Sequence, residues 1–358
     1  MPRVTRIQIL KQWPVTAANG GEIALLERAR YFRARGVEVS LHVCMPREAE
    51  HRVRGLLGSF PRVRMTSAAD YEIMGLPVKL HFRDIAELQR GDSFHRLIED
   101  EQPDLVWTHY TDFLPTFAAL RSISAEKIWV DQTDNEYPRL SQLHPAVRPH
   151  YERIRMLTVA SPFMQRQCGS DFPLAERLDC PNLIEDYELE DDRRPGFDAS
   201  GAWVFVNPVP EKGAEFALRL AQAMPDERFE FIGNWGNDRP DRLSSNVSFR
   251  KRAATLKDVL RDARGLLMPS VWQEAFGRVA LEAMCLGVPV IGSDRGNLPE
   301  TISDGGLSLP LDLDHWRSAM ARSEPEFQQQ VERGFERFRR YKAHVAECYE
   351  KLCARLDL

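Results

Sequence analysis

Short β-rich apolar runs alternate along the chain with segments in which apolar residues return at every third or fourth place. The first pattern suits strands buried on both faces, the second the helices that cover them. "RIQIL" (6–10) predicts a strand, "GEIALLERARYFRARG" (21–36) an amphipathic helix and "VEVSLHV" (37–43) the next strand. "DLVWT" (104–108), "KIWVD" (127–131) and "LTVAS" (157–161) continue the series, each beside a helix-like segment. A polar, acidic stretch, "CPNLIEDYELEDDRRPGFDASG" (180–201), interrupts it and reads as an interdomain linker. The alternation then restarts with "WVFVN" (203–207), "FEFIG" (229–233), "VSF" (247–249), "GLLMPS" (265–270) and "VPVIGS" (288–293). The fold class expected is α/β, with two Rossmann-like, doubly wound parallel-sheet domains facing a cleft. The first domain is expected over 1–182 and the second over 183–340, with a C-terminal helix, 341–358, crossing back to the first. Ligands of such sheets bind at the carboxyl ends of the strands, which puts the expected site in the cleft.

Composition narrows the partners. The chain has 358 residues, 43% hydrophobic and 28% charged, the profile of an ordinary soluble protein with two cores. Arginine outnumbers lysine 40 to 8, yet the net charge is −5, which argues against a nucleic-acid surface. Six cysteines (44, 168, 180, 285, 348, 353) form no C-x-x-C pair and suit a reducing compartment better than a disulfide framework or a zinc site. The opening "MPRVTRIQILKQW" is too short in apolar residues for a signal peptide. Nothing approaches the roughly 18 apolar residues of a membrane span. The expected location is the cytoplasm, with at most peripheral membrane contact.

The richest chemistry lies in "SVWQEAFGRVALEAMCLGVPVIGSDRG" (270–296), where Glu274 and Glu282 stand eight positions apart around Gly277. A strand ends near Pro269, a loop carries Glu274, and a helix opens at Gly277. The start of that helix offers unpaired amides and a positive dipole, which suits an anion. Side chains lean towards a helix's N-terminus, so Glu282 points back to the same mouth. A phosphate on the helix end with carboxylates receiving hydroxyls on either side fits a nucleoside-diphosphate sugar. Taken alone, the two glutamates are equally a solvated helix residue and a loop charge.

The flanking text, "PSxxxExFGxxxLEAMxxGxPVIxSDxGxxPE" (269–300), resembles the E-x7-E signature of retaining glycosyltransferases of family 4, which have the GT-B fold. The resemblance extends along most of the chain. It implies that Glu274 binds hexose hydroxyls and Glu282 the ribose, with Ala275, Phe276, Gly277 and Arg278 lining the donor. "NGGEIALLERARYFRARGVEVSLHV" resembles the family's first glycine-rich turn, where Gly20 and Gly21 let the backbone approach the donor phosphate. "PDLVWTHYTDFLP" resembles the strand whose end carries a histidine near sugar and acceptor, here His109. "FVNPVPEKG" (205–213) stands where the family has G-R-L-x-x-x-K-G. Lys212 keeps the diphosphate cation, while the usual arginine is replaced around Asn207 and Pro208. Arg278 and Arg252, in the "RKR" run 250–252, are the candidates for a second cation. On the acceptor side "WVDQTDNEYPR" (129–139) offers Asp131, Asp134 and Glu136, equally readable as turn and capping residues.

The function implied is transfer of a hexose-type sugar from a nucleoside-diphosphate sugar, UDP favoured over GDP, to a hydroxyl or amino acceptor. The resemblance implies a same-face reaction in which the departing diphosphate helps deprotonate the acceptor. His109, Glu274 and Lys212 are then the residues at the chemistry. No cofactor and no metal are expected. The acceptor stays open between natural product, glycan and lipid-linked sugar. The rival reading is a catalytically silent nucleotide-sugar-binding regulator, since such proteins lose phosphate-binding arginines. An epimerase or phosphorylase of the same fold fits the E-x7-E block poorly, and a dehydrogenase lacks its G-x-G-x-x-G. The arginines and apolar residues of "PREAEHRVRGLLGSFPRVRM" (46–65) read as a basic amphipathic surface or as a solvated helix and turn.

Overall fold

The computed structural model describes residues 3–17, 19–60, 62–67, 70–109, 120, 123–132, 149, 152–168, 172–185, 194, 196–233, 243–251 and 256–358, with the backbone alone at 109. The chain divides into two compact units: Met1–Leu183 with Val345–Leu358, and Ile184–His344.

Among the described residues the first unit holds a nine-stranded sheet. Its strands are β1 (Arg6–Lys11), β2 (Glu38–Pro46), β3 (Val63–Met65), β4 (Asp70–Ile73), β5 (Leu76–Arg83), β6 (Leu105–His109), β7 (Ile128–Gln132), β8 (Met156–Val159) and β9 (Glu176–Asp179). They lie in the order β3-β4-β5-β2-β1-β6-β7-β8-β9. The strands from β5 through β9 in that order are parallel, and the helix Gly20–Arg33 makes the crossover from β1 to β2. The antiparallel edge β3-β4-β5 was not expected. Its hairpin turns through Met74 (φ +50°) and Gly75 (φ +76°), a pair that wants two left-handed residues and lacks the usual Asn or Asp at the first. The 46–65 segment supplies a short helix, Glu50–Leu57, which buries Val53 and Leu57. Arg54 pairs with Glu50 at 2.5 Å and Arg64 with Glu72 at 2.7 Å, so these arginines already have carboxylate partners.

Under this sheet Trp107 of β6 and Trp129 of β7 stack with centroids 4.4 Å apart, and Phe32 meets both edge-on. Beside them lies Arg28, wholly out of water. Its guanidinium pairs with Asp131 of β7, donates to the Tyr349 hydroxyl at 2.9 Å and donates to the Cys180 carbonyl at 2.9 Å. Thr158 of β8 donates to the other Asp131 oxygen at 2.7 Å, and the Trp129 indole donates to Thr158 at 2.7 Å. One cation thus joins the first helix, two strands, the segment after β9 and the returning C-terminus of the unit. The acceptor-side assignment of Asp131 is corrected here: a carboxylate without solvent exposure, closed by Arg28 and Thr158, meets no acceptor. Removing one partner of such a pair costs about 3–5 kcal/mol, because the other charge stays buried. Arg28→Met is therefore expected to lower unfolding stability by that order in urea melts. The double change Arg28→Met with Asp131→Leu is expected to recover part of the loss.

A second polar cluster joins β2 to β5. His42 Nδ1 lies 3.0 Å from His81 Nε2, and His42 Nε2 lies 2.9 Å from Glu101 Oε1. Ser40 and Gln8 donate to the second Glu101 oxygen at 2.6 and 2.9 Å. Although partial burial opposes it, His42, then Ser40 and Lys79, hold the Glu101 carboxyl well below its usual range. Burial, then His42 and nearby cations, press His81 down to about 4. An imidazole whose folded value is depressed binds fewer protons than the unfolded chain between about 4 and its ordinary value. Its contribution is thus intact above pH 6.5, the ordinary value, and is lost as pH falls towards 4. The melting temperature is expected to fall across that window, and to fall less in His81→Asn, as thermal scans at fixed ionic strength will read.

The second unit holds, among the described residues, a six-stranded parallel sheet: β10 (Trp203–Val206), β11 (Phe229–Ile232), β12 (Val247–Arg250), β13 (Gly265–Met268), β14 (Val290–Ser293) and β15 (Leu307–Leu309). The order is β12-β11-β10-β13-β14-β15. Trp203, Phe205, Phe231, Trp316 and Phe327 fill its core. The expected linker is only partly a linker. Arg194 is buried and donates to the Gly287 and Ala263 carbonyls at 2.9 and 2.5 Å, while Phe197 stacks on Phe327 at 4.7 Å. The tail is one 33-residue helix, Glu324–Leu356, which starts well before the expected 341. Among the described residues no helix is long and apolar enough to cross a membrane.

Candidate functional site

In the second unit β10 lies between β11 and β13, so the chain leaving β10 and the chain leaving β13 diverge from neighbouring strand ends. This reversal of strand order opens a crevice at the carboxyl edge of a doubly wound sheet. Lys212 reaches it from the segment after β10 and Glu274 from the segment after β13. Their side chains meet: Lys212 Nζ lies 2.6 Å from Glu274 Oε1, and Ser270 Oγ donates to the same oxygen at 2.5 Å. The pair is mostly withdrawn from water, with 21% of the lysine and 10% of the glutamate side chain exposed.

The backbone that holds the pair has little freedom. Val271 and Trp272 both donate their amides to the Glu211 carbonyl, at 3.1 and 3.0 Å, tying the two loops together. Gly213 has φ +87° and opens the helix Ala214–Ala223; a Cβ there would stand 1.9 Å from the Pro269 carbonyl oxygen. Gly296, at φ +60°, lies against the backbone of Glu274, where a Cβ would come within 2.3 Å of its carbonyl oxygen. Asn297 donates its amide to that carbonyl at 2.7 Å, and Gly296 donates to the Gln273 side chain at 2.7 Å. Both glycines stand in the motif text, but their role shows only where two loops touch.

Gly277, at φ +89°, caps the helix Arg278–Cys285, with Leu298 2.7 Å from where its Cβ would be. Phe276 is buried, and its carbonyl accepts from Thr301. Glu282, one turn inside, is buried and accepts from Arg278 Nε at 2.5 Å. Each glutamate of the E-x7-E pair therefore faces a cation, Glu274 across two loops and Glu282 along its own helix. Ala275 lies in the connecting loop, half-buried. Asn207 directly follows β10 in the left-handed region, φ +57°, a conformation asparagine tolerates better than most residues. Its side-chain oxygen is buried without a hydrogen-bond partner among the described residues. Arg252 lies outside the described residues.

In the first unit Gly20 and Gly21 are the first two residues of a 14-residue helix. Asn19 caps it, accepting the Glu22 amide at 2.9 Å, and Glu22 reaches back to the amide and hydroxyl of Thr16 at 2.8 and 2.9 Å. This is a variant of the reciprocal capping box. His109 ends β6, in register with Asp131 of β7. Asp134 and Glu136 lie outside the described residues.

Residues 201–323 match the family model described as glycosyl transferases group 1. Over 134 residues the chain is 32% identical to D-inositol 3-phosphate glycosyltransferase of Mycolicibacterium paratuberculosis, covering 33% of this chain and 30% of that protein. The match to this and to a second such enzyme, from Mycobacterium avium, spans about a third of those relatives' length. Phosphatidyl-myo-inositol mannosyltransferase of Mycolicibacterium smegmatis is 24% identical over 296 residues, 74% of each chain. Sucrose-phosphate synthase of Thermosynechococcus elongatus superposes with TM-score 0.70 at 18% identity, covering 98% of this chain and all of that one. Anabaena HepE, solved with UDP, superposes with TM-score 0.69 at 16% identity over 98% and 99% of the two chains. The fold is thus GT-B, and the resemblance read from residues 269–300 is upheld by the family domain.

Gly213→Ala is expected to destabilise the protein more than Gly36→Ala. Both positions have positive φ, +87° and +81°, but a Cβ on Gly36 meets no heavy atom within 4 Å among the described residues. The shared backbone penalty is about 1–3 kcal/mol; the contact with Pro269 comes on top. Melting temperatures of the two variants measured side by side check the difference.

Proposed function

We propose, from a chain of GT-B fold whose residues 201–323 form a glycosyl transferases group 1 domain, that this protein is a glycosyltransferase. It moves a hexose-type sugar from a nucleoside-diphosphate sugar to a hydroxyl or amino acceptor, with retention. The observation that carries the reading is the Lys212–Glu274 pair at the reversal of strand order. A compact cation and a carboxylate, held at hydrogen-bond distance by braced loops, are what a leaving diphosphate and a hexose need side by side.

Binding exchanges partners. The diphosphate takes the Lys212 ammonium, and the Glu274 oxygen that held it turns to a sugar hydroxyl. Charge is conserved at each group, so neither is left unpaired in a poorly hydrated place. The helices that begin at Ala214 and Arg278 direct amides and positive dipole ends towards anions at that edge. In this reading Gly20 and Gly21, which open a helix, let the backbone approach a donor phosphate, and Asn207 offers its amide oxygen to the donor. Glu282 receives the ribose hydroxyls with Arg278 holding it in place, and His109 stands at sugar and acceptor. As the glycosidic bond breaks, Lys212 offsets charge gathering on the diphosphate. The diphosphate oxygen released from the anomeric carbon accepts the acceptor's proton as the acceptor oxygen bonds to that carbon on the same face. A UDP-sugar is favoured as donor, which the UDP complex of HepE supports, and no metal is required.

The rival reading, a silent nucleotide-sugar binder, draws on one observation: Arg278, a candidate for the missing phosphate arginine, is engaged by Glu282. Thermal shifts against UDP, GDP, ADP, dTDP and their sugar conjugates, without metal, test both. Stabilisation by one base class is expected. Donor turnover in the presence of acceptors separates enzyme from silent binder.

Lys212→Met is expected to weaken nucleoside-diphosphate binding by about 10–100-fold, the range of a charge-assisted hydrogen bond of about 1.5–3 kcal/mol. Glu274→Gln is expected to lower kcat by about 100-fold or more while sparing UDP affinity. Glu282→Gln is expected to raise the Kd for UDP. Calorimetry with steady-state kinetics reads all three, and wild-type behaviour in both glutamate variants sinks the assignment.

A further inference from the structure

The first unit has its own reversal of strand order, at β1 between β2 and β6, and the segment leaving β1 there carries an exposed indole. Trp13 is 63% exposed, whereas Trp107 and Trp129 of the same unit are wholly buried. Single apolar side chains in water are common. What distinguishes Trp13 is the backbone on which it stands. A following proline confines a residue to extended conformations, and Pro14 follows Trp13. Pro14, Val15 and Thr16 are buried. The hydroxyl of the buried Tyr71 accepts from the Val15 amide and donates to the Val15 carbonyl, both at 2.9 Å. Glu22 holds the amide and hydroxyl of Thr16. A segment moored at two successive residues therefore presents one large amphipathic ring to solvent at the carboxyl edge of the sheet, and ordering it on binding costs little.

We infer that Trp13 is the stacking platform of the acceptor subsite and that it takes a saturated, polyhydroxylated ring, a sugar or cyclitol. This rests on the glycosyltransferase reading. One indole matches the C–H face of one such ring in area, and the polar, half-buried Gln12 precedes it in the chain. An acyl chain would need a continued apolar surface. Among the described residues the other exposed large apolar side chains (Leu56, Met65, Ile85, Leu174, Val271) lie in other segments of the chain.

The test is a set of indole 1H–15N spectra of the full chain labelled at tryptophan, with Trp13→Phe identifying the Trp13 signal. Myo-inositol, D-glucose, D-mannose and N-acetyl-D-glucosamine are titrated one by one, then UDP and GDP. At least one ring compound is expected to move the Trp13 signal saturably. Trp13→Ala should bind that compound roughly tenfold more weakly, the upper range for a stacked ring, while melting like the wild type. The inference is overturned if no ring compound moves the signal saturably, if only the nucleotides move it, or if Trp13→Ala binds the ring as the wild type does. Failure of the glycosyltransferase reading shows separately, as absence of thermal stabilisation by every nucleotide and sugar nucleotide. The ring titration itself needs no donor.

Discussion

A guanidinium taken wholly out of water must find its charge and hydrogen-bond partners inside the protein, and Arg28 meets that demand by gathering four separate stretches of chain. Tyr349 stands 321 residues further along, yet its hydroxyl is one of those partners. The position of the returning C-terminal segment in the first unit is thus tied to the first crossover helix and to β7. A buried pair of this kind adds little net stability over an apolar replacement. What it contributes is intolerance of alternatives, since any arrangement that separates these stretches strands a charge.

The second unit uses the same chemistry differently. Lys212 and Glu274 also form a withdrawn cation–carboxylate pair, but it keeps some contact with solvent and lies at the carboxyl edge of the sheet. Arg28 is closed on all sides and is structural. Lys212, a flexible point charge, can exchange one anion for another without leaving either alone in a poorly hydrated place. The difference between a staple and a site is therefore not the pair itself. It lies in exposure and in whether an incoming ligand can take over both halves.

The exchange needs loops that do not collapse when the pair opens. Gly213 and Gly296 supply this by admitting backbone where any side chain would collide, and the Glu211 carbonyl ties the loop after β13 to the loop after β10. In the proposed reaction the Glu274 carboxylate then changes partner while its backbone stays fixed. That is the requirement for stabilising a transition state without reorganisation at the moment of reaction.

Much of this was legible in the chain. The runs of buried β-branched and aromatic residues gave away most of the parallel strands, because such strands are apolar on both faces, but not β5, β9 or β15. The motifs around Lys212 and Glu274 put both residues just after strands, and the structure brings their side chains together. The antiparallel edge escaped notice because its strands alternate and its turn uses Met74-Gly75. The linker reading missed Arg194, whose partners, Gly287 and Ala263, are distant in sequence. Asp131 was misread for the same reason: an aspartate at a strand exit looks alike whether it faces solvent or a guanidinium over 100 residues away. Sequence determined the periodicity, the glycines and the charge types, which are properties of neighbours along the chain. Only the tertiary structure decided which charges neutralise one another, because pairing is set by distance in space and by the exclusion of water.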